Sequence, residues 1–270
     1  MIVLPPTWFI GCGHMAGALV EGWRKADVDL SEAIAIRPSG RQVEGVRTVT
    51  AIPDGPQPLR CVLGFKPQSL GAIAPVLSPK LSSQTVLVSM LVGVEAKTLR
   101  GLFPQVQSIV RIMPNLPVGE RAGVTALFSE DAAPDLRQRM KGLFGLLGLA
   151  HWAQSEPELA AIGSVAGAGP AYVARFIAAL ARAGTEQGLA PELADRVALQ
   201  TVLGTAMMAA ARGESMGDIA RRVASPKGTT EAGLAVLNAG DALDRLVVET
   251  IAAAARRGAE LAANARGRPR

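Results

Sequence analysis

Histidine, cysteine and aromatic residues are scarce in this 270-residue chain. His14 and His151 are the two histidines, and Cys12 and Cys61 the two cysteines. No CxxC, HxxxH or mixed His/Cys cluster is present, so a zinc site has no ligand set to draw on. A Ser-His-Asp triad is not expected, on the same scarcity of imidazole. Two cysteines so far apart read as reduced thiols. Aromatic residues make up 4% of the chain, which leaves little for nucleobases to stack on, and nucleic acid is not an expected partner despite the net charge of +5. Charged residues are few, 19% against 49% hydrophobic, which excludes intrinsic disorder. Long apolar runs are missing too. The charge-free stretch 159–174 is 16 residues and contains Pro170. A membrane span requires about 18–20. No charged segment followed by an apolar one opens the chain, so no signal peptide is expected and the cytoplasm is the expected compartment. A water-soluble chain this apolar is expected to hide surface in an oligomer interface. Part of the basic excess lies at the end, in Arg266, Arg268 and Arg270, and reads as a solvated terminus.

The length suits two domains. Up to about residue 150, short apolar runs at 7–10, 33–36, 61–65, 85–89 and 108–113 end in Gly, Pro, Lys or Ser. Amphipathic stretches at 15–25, 70–77 and 94–103 lie between several of them. Strand, helix, strand in this rhythm predicts an α/β Rossmann domain with a doubly wound, mostly parallel sheet. A further strand at 125–129 and a helix at 134–147 would close it. Beyond about residue 155 the strand signal ends. Pro170 and Gly188 bracket one helix, Pro191 and Gly213 the next, and Asp241 caps a last one running from Ala242 to about Ala263. The second half is expected to be an all-α, alanine-rich bundle that doubles as a subunit interface.

Six motifs carry chemistry. Residues 9–18, FIGCGHMAGA, place Gly11-x-Gly13-x-x-Ala16 between a strand and a helix. Gly11 permits a tight turn, Gly13 lets a pyrophosphate reach a helix N-terminus, and Ala16 allows close helix–strand packing. The next strand runs into Arg37, Ser39 and Arg41 with no acid. An NAD site needs a carboxylate there for the ribose, whereas Arg and Ser suit a 2′-phosphate, so NADPH is the expected cofactor and NADH a weaker one. Lys66-Pro67 ends the third run, where ligands of open sheets bind. RIMPNLP, 111–117, makes a rigid loop that can hold Met113, Pro114 and Asn115 against a nicotinamide. AGAGPAY, 166–172, brings small residues to a helix start, an anion-friendly geometry. SPKGTT, 225–230, converges three hydroxyls, a glycine and the Lys227 ammonium on another helix start, more than a simple N-cap needs.

These motifs, in this order and over nearly the whole chain, resemble the pyrroline-5-carboxylate reductase family. The resemblance implies an N-terminal dinucleotide-binding domain, 1–153, and a helical domain, 154–270, for dimerisation and substrate binding. It implies a homo-oligomer, a dimer or ring of dimers, with the active site between the nucleotide domain and helices from two subunits. The activity implied is NADPH-dependent reduction of the cyclic imine 1-pyrroline-5-carboxylate to proline. Carried over by position, Ser225, Gly228 and Thr229, with Lys227 in the same loop, would hold the substrate carboxylate. Thr230 would bond the ring nitrogen as the catalytic residue. Gly11, Gly13, His14, Met15 and Ala16 would line the pyrophosphate. Lys66, Pro67, Met113, Pro114 and Asn115 would flank the nicotinamide and its ribose. The chain departs from the family pattern at Lys227, a usual glycine in SPGGTT, at Ala166 and Ala168, usual serines in SGSGPAY, and at Ala160, Gly163 and His14, where Asp, Thr and Asn are common. Two alternatives stay open: a related cyclic imine as substrate, or a nucleotide-binding scaffold or sensor without turnover. No His or carboxylate in the motifs is an obvious general acid, which fits a substrate that arrives protonated.

Overall fold

The structure is a computed structural model that describes residues 2–266. Short apolar segments at β1 (Thr7–Ile10), β4 (Arg60–Leu63) and β5 (Val86–Ser89) are buried at every position, as strands covered by helices on both faces must be. With β2 (Ala33–Ile36), β3 (Arg47–Val49), β6 (Ser108–Pro114), β7 (Gly123–Phe128) and β8 (Gly148–Trp152) they form, among the described residues, one eight-stranded sheet in the order β3-β2-β1-β4-β5-β6-β7-β8. β1 to β6 are parallel, with Phe9 opposite both Ala35 and Val62. β7 returns antiparallel on β6, and β8 runs parallel to β7. The short return is possible because Arg121 adopts a left-handed conformation, φ +58°, after the 3-10 turn Leu116–Glu120. This is the expected doubly wound, mostly parallel sheet, with β3 and β8 as additions at its two edges.

Alternation along the strands sorts side chains into two cores. Phe9, Val62, Val88 and Val110 join Trp23 and Phe144 on one face, under α1 (His14–Lys25) and α4 (Pro134–Gly145). Trp8, Cys61, Leu63 and Leu87 join Leu77 and Leu99 on the other, under α2 (Leu70–Leu77) and α3 (Ala96–Leu102). Gly22 is required where α1 crosses the 3-10 turn, because a Cβ there would collide with the Val118 carbonyl oxygen. On the α3 face, α5 (Glu156–Ala166) is fastened by a buried ion pair. Arg111 of β6 is paired with Glu156, whose other oxygen accepts the Ala96 N–H at 3.0 Å.

The rest is helical: α6 (Gly169–Glu186), α7 (Pro191–Arg212), α8 (Met216–Val223), α9 (Thr229–Asn238) and α10 (Ala242–Arg266). Gly188 and Gly213, at φ +96° and +63°, end α6 and α7 as left-handed residues following helices do. The chain divides into two compact units: one runs to Ala168 and takes in α10 from Ala254 onward, the other is Gly169–Ala253. α5 lies in the unit that carries the sheet. The core of the second unit is small: Ala181 of α6 against Ala194 and Ala198 of α7, with Ile177 beside them. Large apolar residues of α6, α7, α9 and α10 stay exposed, Val173, Phe176, Leu203, Met207, Val236 and Val248 among them. The stretch Glu156–Glu186 has the length and apolar composition of a membrane span, but it is two helices, α5 and α6, broken at residues 167 and 168. Arg268 and Arg270 lie outside the described residues, and of Arg266 only the backbone is described.

Candidate functional site

The glycine motif follows β1 directly. Gly11 turns the chain at φ +74°, and its N–H donates to the Ile36 carbonyl at 2.9 Å. Gly64 follows the adjacent strand β4, and a Cβ there would collide with the Gly11 carbonyl oxygen and press on Ala16. Two glycines and an alanine are therefore what let the ends of β1 and β4 and the start of α1 approach. Gly13 N-caps α1 with φ −79° and no side-chain cap, and the first turn holds no acid. No atom lies within 4 Å of where a Gly13 Cβ would sit. The result is an open, uncapped helix N-terminus whose first N–H groups and dipole favour an anion. His14 and Met15 sit in this first turn, His14 exposed, Met15 half-buried.

β2 delivers Arg37, half-buried, and then Ser39 and Arg41, both exposed. A turn closed by the Gly40 N–H on the Arg37 carbonyl at 2.9 Å holds this loop, with Gly40 at φ +66°. Burial pushes the Cys12 thiol up to about 11, and the Arg37 guanidinium pulls it partly back, so that cation faces the glycine turn. Lys66 is exposed and caps the 3-10 turn that begins at Pro67. The donors present, uncapped amides followed by two guanidiniums and a hydroxyl without a carboxylate, fit a dinucleotide with a 2′-phosphate.

Met113, next to last in β6, is half-buried and packed so closely on α5 that a Cβ on Gly163 would lie 3.0 Å from its Cγ. Pro114 and Asn115 are buried. The Asn115 amide is engaged at both ends: Nδ2 donates to the Ala166 carbonyl at 3.0 Å, and Oδ1 accepts the Val124 N–H at 2.8 Å. Asn115 thus ties the RIMPNLP loop to β7 and to the end of α5, ahead of the small residues 166–169.

In the helical unit, SPKGTT leads into α9. The Gly228 N–H closes a turn on the Ser225 carbonyl at 3.0 Å, and a Gly228 Cβ would fall 2.5 Å from the Ser225 Oγ. Gly228 is the N-cap of α9, again without a side-chain cap. Thr229 is exposed and Thr230 half-buried in the first turn. Lys227 stands at φ +59°, the left-handed region that favours glycine, and its N–H donates to the Glu231 carboxylate at 2.6 Å. Its side chain is exposed.

The family model for pyrroline-5-carboxylate reductase dimerisation matches residues 156–261. A pyrroline-5-carboxylate reductase of Pseudomonas aeruginosa is 33% identical over 96% of this chain and 97% of its own length. The chain belongs to the pyrroline-5-carboxylate reductase family. A solved reductase from Coxiella burnetii, 31% identical, superposes with a TM-score of 0.85 over 95% of this chain and 98% of that one. The Plasmodium falciparum pyrroline carboxylate reductase, solved with NADP bound, shares the fold at 23% identity and a TM-score of 0.83, over 97% and 100% of the two chains. As a reductase-family chain, it adds two residues that the motifs alone did not single out. Gly64 was hidden inside an expected strand, and a glycine at a strand's carboxyl end was its signal. The Glu156 partner of Arg111 had no sequence signal, since 45 residues separate the two.

Proposed function

We propose that the chain reduces 1-pyrroline-5-carboxylate to proline with NADPH, as a cytoplasmic homo-oligomer built from dimers, with no nucleic-acid or membrane partner. Membership of the family supports the reaction. The observation that carries the cofactor reading is the open, acid-free N-terminus of α1, reached through Gly11 and Gly64 and followed by Arg37, Ser39 and Arg41. The exposed apolar residues of α6, α7 and α10 support burial against a second copy.

The coenzyme, when bound, supplies a hydride. This chain's residues do the rest. The first-turn amides of α1, at Gly13, His14, Met15 and Ala16, hold the pyrophosphate. Arg37, Ser39 and Arg41 take the 2′-phosphate. Lys66, Pro67, Met113 and Pro114 flank the ribose and nicotinamide, while Asn115 keeps that loop rigid through its two hydrogen bonds. The α9 N-terminus, with Ser225, Gly228 and Thr229, anchors the substrate carboxylate. Thr230 accepts from the ring N–H and orients it, and an imine that arrives protonated needs no further acid. Lys227 meets its backbone demand through Glu231, and its ammonium is free to add charge to the anchor.

The test is steady-state NADPH and NADH oxidation with pyrroline-5-carboxylate. NADPH is used more efficiently than NADH, and Ser39→Ala with Arg41→Ala narrows the gap. Equal efficiency with both coenzymes in the parent chain would remove the 2′-phosphate reading.

A further inference from the structure

The opposite end of the sheet carries a cavity that the reductase chemistry does not use. It opens at the N-terminal ends of β1, β4 and β5, beside α4, and measures 610 Å³. That volume takes a small organic molecule. Most of its wall is apolar, including Leu4, Leu59, Val86, Leu136 and Leu143. Into it runs Arg60, the first residue of β4. Alternation puts Arg60 on the same face as Val62, whose neighbours are the aliphatic residues under α1 and α4.

A guanidinium is an improbable occupant of such a position unless something pairs with it. Arg60 is nonetheless only 8% exposed, and its Nε and Nη1 have no hydrogen-bond partner. Among the described residues no carboxylate forms an ion pair with it. Arg139, a like charge on α4, faces the same cavity and gives one of its own nitrogens to Asp135 at 2.6 Å. Burial first, and then Arg139, bring the Arg60 guanidinium down to about 10, so it is still a cation at neutral pH. Nε–H and Nη1 lie on different edges of the fork and are shut off from solvent, which leaves Nη2 as the nitrogen that an anion in the cavity reaches. The walls around that fork offer hydrocarbon rather than water.

We propose that this cavity binds a small carboxylate with an apolar body, its carboxylate paired with the Arg60 guanidinium through Nη2 and its body against Leu4, Leu136 and Leu143. The site is separate from the coenzyme end. Arg60 begins β4 and Gly64 follows its end, about 13 Å apart at the rise of an extended chain. Arg139 adds a second positive charge at the mouth, and the ligand's charge offsets the repulsion between the two guanidiniums.

The test is calorimetric titration of the full chain, in low-chloride buffer, with phenylacetate and 4-methylpentanoate as probes. Benzyl alcohol is the neutral control and inorganic phosphate the anion without a body. The two carboxylates bind saturably at one site per chain, with dissociation constants under about 1 mM, and benzyl alcohol binds at least about tenfold more weakly. Arg60→Met weakens the carboxylates by at least about tenfold while leaving NADPH affinity unchanged, and it melts no lower than the parent because it removes buried, unpaired donors. Gly142→Phe is the second variant. Gly142 lines the cavity and has no atom within 4 Å of a built Cβ, so the ring fills the space without touching the Arg60 charge. It abolishes binding too. Carboxylate binding that survives both variants overturns the proposal, and so does the absence of saturable binding up to about 10 mM. Phosphate bound as tightly as the carboxylates overturns the apolar-body class. Binding kept in Arg60→Met but lost in Thr229→Ala assigns the probe to the α9 loop and overturns the site.

Discussion

Gly13→Ala separates the fold's need for glycine from the coenzyme's. At φ −79° and ψ −159°, Gly13 already occupies a conformation open to any residue. Its added methyl meets no protein atom within 4 Å. Alanine is a poorer N-cap than glycine, but it also restricts the unfolded chain, and the two effects are each roughly 0.5 kcal/mol and opposed. Stability therefore changes by less than about 0.5 kcal/mol. The coenzyme meets a different situation. The methyl projects where a pyrophosphate must close on the α1 amides, and losing one or two hydrogen bonds to a charged oxygen costs roughly 1.5–3 kcal/mol. At about 1.4 kcal/mol per factor of ten, NADPH affinity falls roughly tenfold to a hundredfold. The assay is NADPH fluorescence titration alongside urea unfolding of the same variant. Affinity within a factor of about two of the parent, at an unchanged unfolding midpoint, would refute the placement of the pyrophosphate at α1.

Other parts of the structure can be tested in the same preparations. Glu156→Gln removes the paired carboxylate of the buried Arg111, leaving Glu95 as its nearby charge, and is expected to cost about 1.5–3 kcal/mol in urea unfolding; adding Arg111→Met to it recovers most of the loss, and no recovery would show that the pair is not what fastens α5. Burial holds the Cys12 thiol near 11 against 9.0 for an unperturbed one, and raises Cys61 as well. The unfolded chain therefore deprotonates first, stability from these thiols is complete below about pH 8 and declines from pH 9 to 11, and Cys12→Ala recovers about 1 kcal/mol at pH 10 relative to its effect at pH 7. Asn115→Asp keeps the acceptor for the Val124 N–H but sets a buried carboxylate oxygen against the Ala166 carbonyl, so kcat is expected to fall with a loss of stability at least as large as in Asn115→Ala, and a smaller loss would show that the Ala166 bond does nothing. Thr230→Ala is expected to lower kcat about tenfold to a hundredfold with NADPH affinity unchanged, and full activity would remove Thr230 from the reaction.

Periodicity and punctuation exposed most of the fold. The runs at 7–10 and 33–36 are β1 and β2 to the residue, and Pro191 and Gly213 frame α7 because proline at the start and glycine past the end are demands of helix geometry. β3 and β8 were not legible. Arg-Thr-Val is three residues long and largely solvated, and Gly148–Trp152 carries a glycine, a histidine and exposed Leu149 at an edge where burial imposes no pattern. The candidate site was legible where a backbone requirement forces a residue type, as at Gly11 and Gly13. It was not legible where a side chain works at a distance in sequence. Nothing in RIMPNLP tells that both ends of the Asn115 amide are taken by Val124 and Ala166, and nothing in a strand beginning Arg-Cys-Val-Leu tells that its arginine is buried without a partner. Lys227 lies between the two cases: its residue type departs from the family, and its left-handed backbone explains why glycine is usual there.

The most direct measurement is product formation. The chain is incubated with NADPH and pyrroline-5-carboxylate, and proline and oxidised coenzyme are quantified together. The account predicts one proline per NADPH consumed, at a rate that Thr230→Ala lowers and Arg60→Met does not. Stoichiometric NADPH binding with no proline formed from pyrroline-5-carboxylate would contradict it.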